Sequence, residues 1–208
     1  MKKKDQQREG GGILSVLLSA ICAVIFLMII LFAMSYILRR RYLVVEVVGT
    51  SMENTLQNGD IVYSDQKAEV QRGDIVIIDV SNVPEFMGMN TSVIIKRVIA
   101  LEGDRIKCEG GVVYLAVEGG EYEQLDEPYI EGRNKDEFEE VLGEGEIFVM
   151  GDNREGSMDS RRVGPLREDN VIGTVPEWVL EYRPIIKSWE NVNDLLFGWV
   201  KNIFFSAG

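Results

Sequence analysis

No histidine occurs among the 208 residues. That absence excludes a Ser-His-Asp triad, a Cys-His dyad, histidine-ligated zinc and the HExxH metalloproteases together, so a serine nucleophile here would need another base. Cysteine is nearly as scarce. Cys22 lies inside a long apolar run and Cys108 far outside it, so no intramolecular disulfide framework is expected and stability must come from a packed core. Roughly 165 residues beyond the apolar run are enough to build one. Basic residues are in the minority. The whole chain carries a net −12, and residues 42–208 hold 15 Lys and Arg against 32 Asp and Glu, a net of −17. Such a surface repels nucleic acid, and no basic stripe with interleaved aromatics offsets it.

Residues 13–38, "ILSVLLSAICAVIFLMIILFAMSYIL", contain no charged residue over 26 positions. As a helix they would span roughly 39 Å against a hydrocarbon core of about 30 Å, which predicts one transmembrane helix with room to tilt. A cleaved signal peptide has an apolar core of about 7–15 residues ending at small residues. Here the run is longer and meets Arg39-Arg40-Arg41, so an uncleaved anchor is expected. Its orientation does not follow from charge, since Lys2, Lys3, Lys4 and Arg8 precede the span and three arginines able to snorkel follow it.

After the anchor, short runs rich in β-branched residues alternate with turn signals: 42–48, 60–64, 73–80, 92–101, 111–117, 146–152 and 171–182. No 3.6-residue period is evident between 42 and 188, and the spacing predicts a mainly β domain of barrel-like or sandwich-like architecture. Residues 118–145 are rich in Glu and Gly and read as a solvated excursion or small subdomain. Near the end, Leu195, Leu196, Trp199, Val200, Ile203 and Phe204 share one face of a helix. That face would pack on the domain or lie in the plane of a membrane surface.

With histidine absent, Lys, Asp or Glu must serve any serine nucleophile. An unperturbed lysine is neutral only about one time in a thousand near pH 7.4, so a lysine base must be desolvated. Lys96 lies in "SVIIKRVIAL" (92–101), a strand apolar on both faces, with Ile94, Val98 and Ala100 on its own side and Arg97 on the other. A strand-edge lysine reaching water along its stem is the plainer alternative. Ser51 sits in "VVGTSMENTLQNGD" (47–60), where Thr50-Ser51-Met52-Glu53 also matches a helix capping box. A third segment, "GDNREGSMDSRR" (151–162), is dense in polar side chains. A calcium loop would place Arg154 and Gly156 where oxygen ligands belong. If the segment is extended, Ser157, Asp159 and Arg161 face one side.

Together these segments resemble the type I signal peptidases, membrane-anchored serine proteases with a Ser–Lys dyad. Ser51-Met52 followed by Thr55-Leu56 is similar to the family's nucleophile box, "RGDIVIIDV" (72–80) to its next strand motif, "KRVIALEGD" (96–104) to its lysine box, and "GDNREGSMDSRR" to its last. The resemblance covers about residues 43–182. It implies a catalytic Ser51, a general-base Lys96, a Ser157 hydroxyl that orients the lysine, and an Asp159–Arg161 pair that braces the site. It also implies oxyanion and substrate contacts at Gly49, Ser51, Met52 and Asp152, with no metal and no organic cofactor.

Further implications are a bacterial cell membrane location and a function of removing signal peptides from exported preproteins with small residues at the −1 and −3 positions. The expected organisation is a cytoplasmic N-terminus (1–12), a transmembrane helix (13–38), an extracytoplasmic peptidase domain (39–188, with 105–145 inserted) and an amphipathic C-terminal segment (189–208). Asn54 stands where the family usually has proline, so the turn after Ser51 loses a fixed φ near −65° and gains a backbone donor. That departure keeps open a catalytically silent homologue acting as an assembly or chaperone factor for surface proteins or pili. A Ser–Lys self-cleaving repressor is disfavoured by the anchor and the lack of a DNA-binding segment.

Overall fold

A computed structural model describes residues 2–88, 91–130 and 134–204, the side chains of 2–11, 13 and 196–204 excepted. The elements run from helix α1 (Lys2–Arg41) through strands β1 (Tyr42–Glu46), β2 (Ile61–Asp65), β3 (Ile75–Asp79), β4 (Val93–Ala100), β5 (Arg105–Glu109), β6 (Val112–Ala116), β7 (Glu123–Gln124), β8 (Phe138–Val141) and β9 (Glu146–Met150). Helix α2 (Ser160–Val163), strands β10 (Leu166–Arg167) and β11 (Val171–Val175), and helices α3 (Glu177–Glu181) and α4 (Arg183–Phe204) complete the chain. Two compact units result: α1 to Arg40 with α4 from Asn193, and Arg41–Val192.

In the first unit, Leu14–Arg41 is long and apolar enough to cross a membrane, and none of its most apolar window is buried. Tyr36 and Arg40 meet near its end, the guanidinium donating to the phenol oxygen at 2.9 and 3.1 Å.

The second unit is mainly β, as its composition predicts. A seven-stranded antiparallel sheet has the order β1-β2-β11-β3-β4-β9-β10. Irregularities between Val98 and Ala100 and between Val171 and Gly173 bend its strands, and the sheet curls. Strands β3, β4 and β9 read as near-continuous apolar runs because both faces are covered. One side packs Val47, Met52, Leu56, Val62, Tyr63 and Val179, and the other Val76, Ile78, Val98, Ile147 and Val149. Arg41 forks onto the buried Asp65 carboxylate at 2.6 and 2.9 Å.

The excursion after β4 is more ordered than its composition suggests. Residues 105–141 form a second sheet, order β7-β6-β5-β8, with its own core around Ile106, Val113, Leu115 and Phe148. Near the end the expectation of a strand through 182 fails: β11 stops at Val175 and Pro176 precedes α3. Proline has no N–H for the ladder but suits the first turn of a helix. The terminal helix starts at Arg183 rather than 189 and buries Ile186, Glu190 and Asn193. Leu195, expected on its apolar face, is 82% exposed; the side chains of Leu196, Trp199, Val200, Ile203 and Phe204 lie outside the described residues.

Residues 51–55 form successive turns and no helix begins there, so the capping-box alternative is not realised. Asn54 has φ +84°, far from the −65° that proline would require. Asparagine tolerates this left-handed region better than most residues. Asn54→Gly should therefore leave stability almost unchanged, while Asn54→Pro should lower it by more than about 1 kcal/mol, read as the urea midpoint of the chain in detergent. A stabilised proline variant would show that this turn has another conformation.

Candidate active site

The turn between β1 and β2 is fastened from below. Met52 and Leu56 are sunk in the core, and the N–H groups of Thr55 and Leu56 both donate to the Met52 carbonyl. Ser51, one residue earlier, is left half-buried. Lys96 lies opposite Val76 in the β3–β4 ladder and is 3% exposed. Its Nζ is 2.8 Å from Ser51 Oγ and donates to the Ile95 carbonyl at 2.9 Å. Burial disfavours the ammonium form and holds the amine down to about 8, against the pull of Asp159 and Asp152 and with the push of Arg161. At pH 7.4 about one molecule in five then carries a neutral lysine, against about one in a thousand for a free one.

Asp159 is fully buried behind this pair. Burial alone would raise its carboxyl, but Arg161, which bonds it at 2.8 and 2.9 Å, and the Gly151 N–H, at 2.9 Å, bring it below its ordinary value. The segment is not extended throughout. Asp159 is extended but caps α2, accepting from the Arg161 N–H at 3.3 Å, and the Arg161 side chain folds back onto its own cap. Asp136 takes the other side of that guanidinium at 2.9 Å. Ser157 is buried, and its hydroxyl makes no bond of ordinary geometry among the described residues, though it stands close enough to Asp159 to help hold that carboxyl down. It packs on Gly151, where an added Cβ would stand 2.3 Å from Ser157 Oγ and 2.5 Å from the Ser51 carbonyl oxygen.

Three of the residues expected at substrate and oxyanion contacts have other partners in the structure. Asp152 is fully buried, its carboxylate filled by Arg97 at 2.7 and 2.9 Å and Thr55 Oγ1 at 2.5 Å, so it presents no oxygen to a substrate. The Met52 side chain belongs to the core. Gly49, at φ +96°, gives its N–H to Asn58 Oδ1 at 2.9 Å and has none to spare for an oxyanion. The Ser51 N–H has no acceptor among the described residues. Among those residues no cluster of His, Cys, Asp or Glu could hold a metal ion.

The arrangement has the parts of an acyl-transfer site: a hydroxyl, a desolvated amine at hydrogen-bonding distance, and a free amide beside them. The sequence model described as signal peptidase, peptidase S26, matches residues 15–179.

The chain belongs to this family.

It is thus a serine peptidase by family, with relatives named as signal peptidases. The signal peptidase I of Bacillus licheniformis is 36% identical over 146 residues, 62% of this chain and 71% of that one. Signal peptidase I V of Bacillus subtilis (strain 168) is 32% identical over 151 residues, 64% and 82% of the two chains. The chloroplastic thylakoidal processing peptidase 1 of Arabidopsis thaliana is 31% identical over 137 residues, 61% and 38%. A crystal structure of a signal peptidase I from Enterococcus faecalis V583 is 23% identical, covering 52% of this chain and 98% of that one, with a TM-score of 0.41.

Several residues that shape the site escaped the sequence reading. Arg97 ties three segments, bonding Asp152, the Gly73 carbonyl at 2.7 Å and Thr55. Asn153 holds the backbone at Ser51, its N–H donating to the Ser51 carbonyl and its side chain to that of Thr50, each at 3.1 Å. Arg154 is buried, donates to the Gly151 carbonyl at 3.0 Å and is clasped by Glu127 and by Asn134 at 3.0 Å, both from the excursion. One signal was available for Arg97: the argument that makes a lysine costly in a doubly buried strand applies to its neighbour, which then requires a buried carboxylate.

Two outcomes follow from these contacts. Asp152→Ala leaves the buried Arg97 guanidinium unpaired and should cost about 3–5 kcal/mol in chemical denaturation; an unchanged midpoint would mean water replaces the carboxylate. Gly151→Ala should abolish peptide cleavage, since its methyl cannot coexist with the Ser157 and Ser51 oxygens as they stand.

Proposed function

We propose that the protein is a membrane-anchored signal peptidase that cuts exported preproteins through a Ser51–Lys96 dyad. The observation that carries this reading is the 2.8 Å contact between Ser51 Oγ and an amine that burial holds at about 8, in a chain with no histidine. The family's relatives supply the substrate class: preproteins, cleaved at the end of the signal peptide. The helix Leu14–Arg41 supplies the anchor, with residues 1–12 cytoplasmic and the β domain outside a bacterial cell membrane.

In the first half-reaction, neutral Lys96 accepts the Ser51 proton as Oγ bonds to the scissile carbonyl carbon. The carbonyl oxygen takes the negative charge and the Ser51 N–H receives it; one such donor is typically worth 10²–10³ in rate. The intermediate collapses, the C–N bond breaks, and the lysinium gives its proton to the departing amine. In the second half, Lys96 takes a proton from water, the hydroxide attacks the acyl carbon, and the ester C–O bond breaks as Ser51 Oγ regains a proton. A base so placed contributes about 10²–10⁴.

The substrate runs extended along the free edge of β1, which leads through the exposed Val48 to Ser51, with small side chains at −1 and −3. Asp159 and Arg161 fix the segment behind the lysine, and Ser157 fills the space against Gly151 from which the amine is oriented. Asn54, whose departure from proline suggested a non-catalytic assembly factor, takes a positive φ that proline cannot adopt; the Ser51–Lys96 contact, and not this turn, favours the peptidase reading.

The test compares cleavage of a purified preprotein by the wild type, Ser51→Ala and Lys96→Met. Both variants should be inactive, and the double variant no worse than either. Cleavage by the wild type should rise with pH through about 8, because only the neutral lysine accepts a proton; a flat single-turnover rate from about pH 6 to 10 would sink the dyad. Stability carries the same signature. The folded protein binds fewer protons than the unfolded one between about 8 and 10.5, so unfolding free energy should rise with pH across that window, by about 3 kcal/mol in total. Lys96→Met should lose that rise and be the more stable protein at pH 7.

A further inference from the structure

The family match ends at residue 179, before α4. In the unit formed by α1 and the end of α4, Ser35 donates from Oγ to Asn193 Oδ1 at 2.9 Å, and the two residues are 8% and 3% exposed. Ser35 stands out on a helix whose apolar residues are otherwise open to the surroundings. It belongs to a seam: the partly or fully covered residues of α1 between 20 and 38 are Met28, Leu31, Ser35 and Leu38, recurring at spacings of three, four and three. That is the narrow stripe one helix presents to another.

We propose that residues 193–204 form a second membrane-embedded helix, docked antiparallel on the anchor along this seam and locked by Ser35–Asn193. The proposal rests on reading α1 as a membrane anchor. Tyr36 and the arginine bonded to it mark the headgroup level, which puts Ser35 just inside the hydrocarbon. There a serine hydroxyl and an asparagine amide gain by bonding each other, because neither has water. Asp194 follows Asn193 and has an interaction of its own; past it the sequence "LLFGWVKNIF" (195–204) is apolar with one charge, and Leu195 faces away from the contact, as a lipid-facing residue would. Eleven residues of helix reach about 16 Å, roughly half the hydrocarbon thickness. The anchor is then a helical hairpin closed by the two ends of the chain, and not a lone span with a helix lying flat beside it.

The test uses the full chain in membranes, with Cys22→Ala and Cys108→Ala as background and a short thiol-to-thiol crosslinker. Three pairs are compared: Ser35→Cys with Asn193→Cys; Met28→Cys with Val200→Cys, each seven residues deeper; and Phe26→Cys with Asn193→Cys, where Phe26 points elsewhere on α1. Cleavage of the β domain by an added protease then shows whether the two ends stay joined on a denaturing gel. The hairpin requires joining in the first two pairs and none above background in the third. Joining in the first pair alone would mean a helix pinned at the surface and would overturn the proposal, as would equal joining in all three or none in any. Release of the whole chain by alkaline carbonate would overturn the anchor reading itself, whereas a retained chain without crosslinks would overturn only the hairpin.

Discussion

Bringing a lysine amine down from 10.5 to about 8 means keeping water and direct carboxylate partners away from it, and much of the polar architecture around Ser51 meets that constraint. Lys96 is denied solvent by β3, β4 and the segment after β9, and it is denied a direct carboxylate partner as well: it bonds Ser51 and a backbone carbonyl. A contacting Asp or Glu would favour the charged form and raise the amine again. The nearby carboxylates are consumed by arginines instead, Asp159 by Arg161 and Asp152 by Arg97. Desolvation is the largest influence on the amine, ahead of the pull of Asp159, the push of Arg161 and the pull of Asp152.

Those ion pairs have a second consequence. Buried pairs contribute little net stability over an apolar packing of the same volume, but breaking one is expensive, so they act as registers more than as glue. Arg97 sets the turn after Ser51, the loop at Gly73 and the segment at Asp152 in one arrangement. Arg154 does the same between Gly151 and the excursion through Glu127 and Asn134. The excursion is therefore part of the site's support. Its acidic composition, which suggested solvation, includes the carboxylates that neutralise Arg154 and Arg161.

Much of this was legible in one dimension because some constraints are local. A charge-free run of 26 residues, alternation of β-branched segments with turn residues, and a lysine within a doubly apolar strand follow from covalent order and burial alone. Where sequence reasoning failed, the deciding fact was a contact or a dihedral. Asp152 and Met52 carry the chemistry of surface and of core equally well in a sequence, and only packing assigned them to the interior. Asn54 read as a missing proline until its φ was known. Residues 176–181 read as a continued strand because a five-residue helix is too short to show a period.

The sequence by itself narrowed the choice of base: with no histidine, only lysine, aspartate or glutamate could serve a serine, and the family resemblance singled out Lys96. It also determined the membrane-length helix and the mainly β class, since both depend on the order of apolar residues along the chain. The tertiary structure decided which polar groups close on which. Ser51 meets Lys96 across 45 positions, Thr55 meets Asp152 across 97, and Ser35 meets Asn193 across 158. Such pairings are set by strand register and helix packing. These emerge only when the whole core condenses, because no local propensity distinguishes one distant partner from another of the same chemistry.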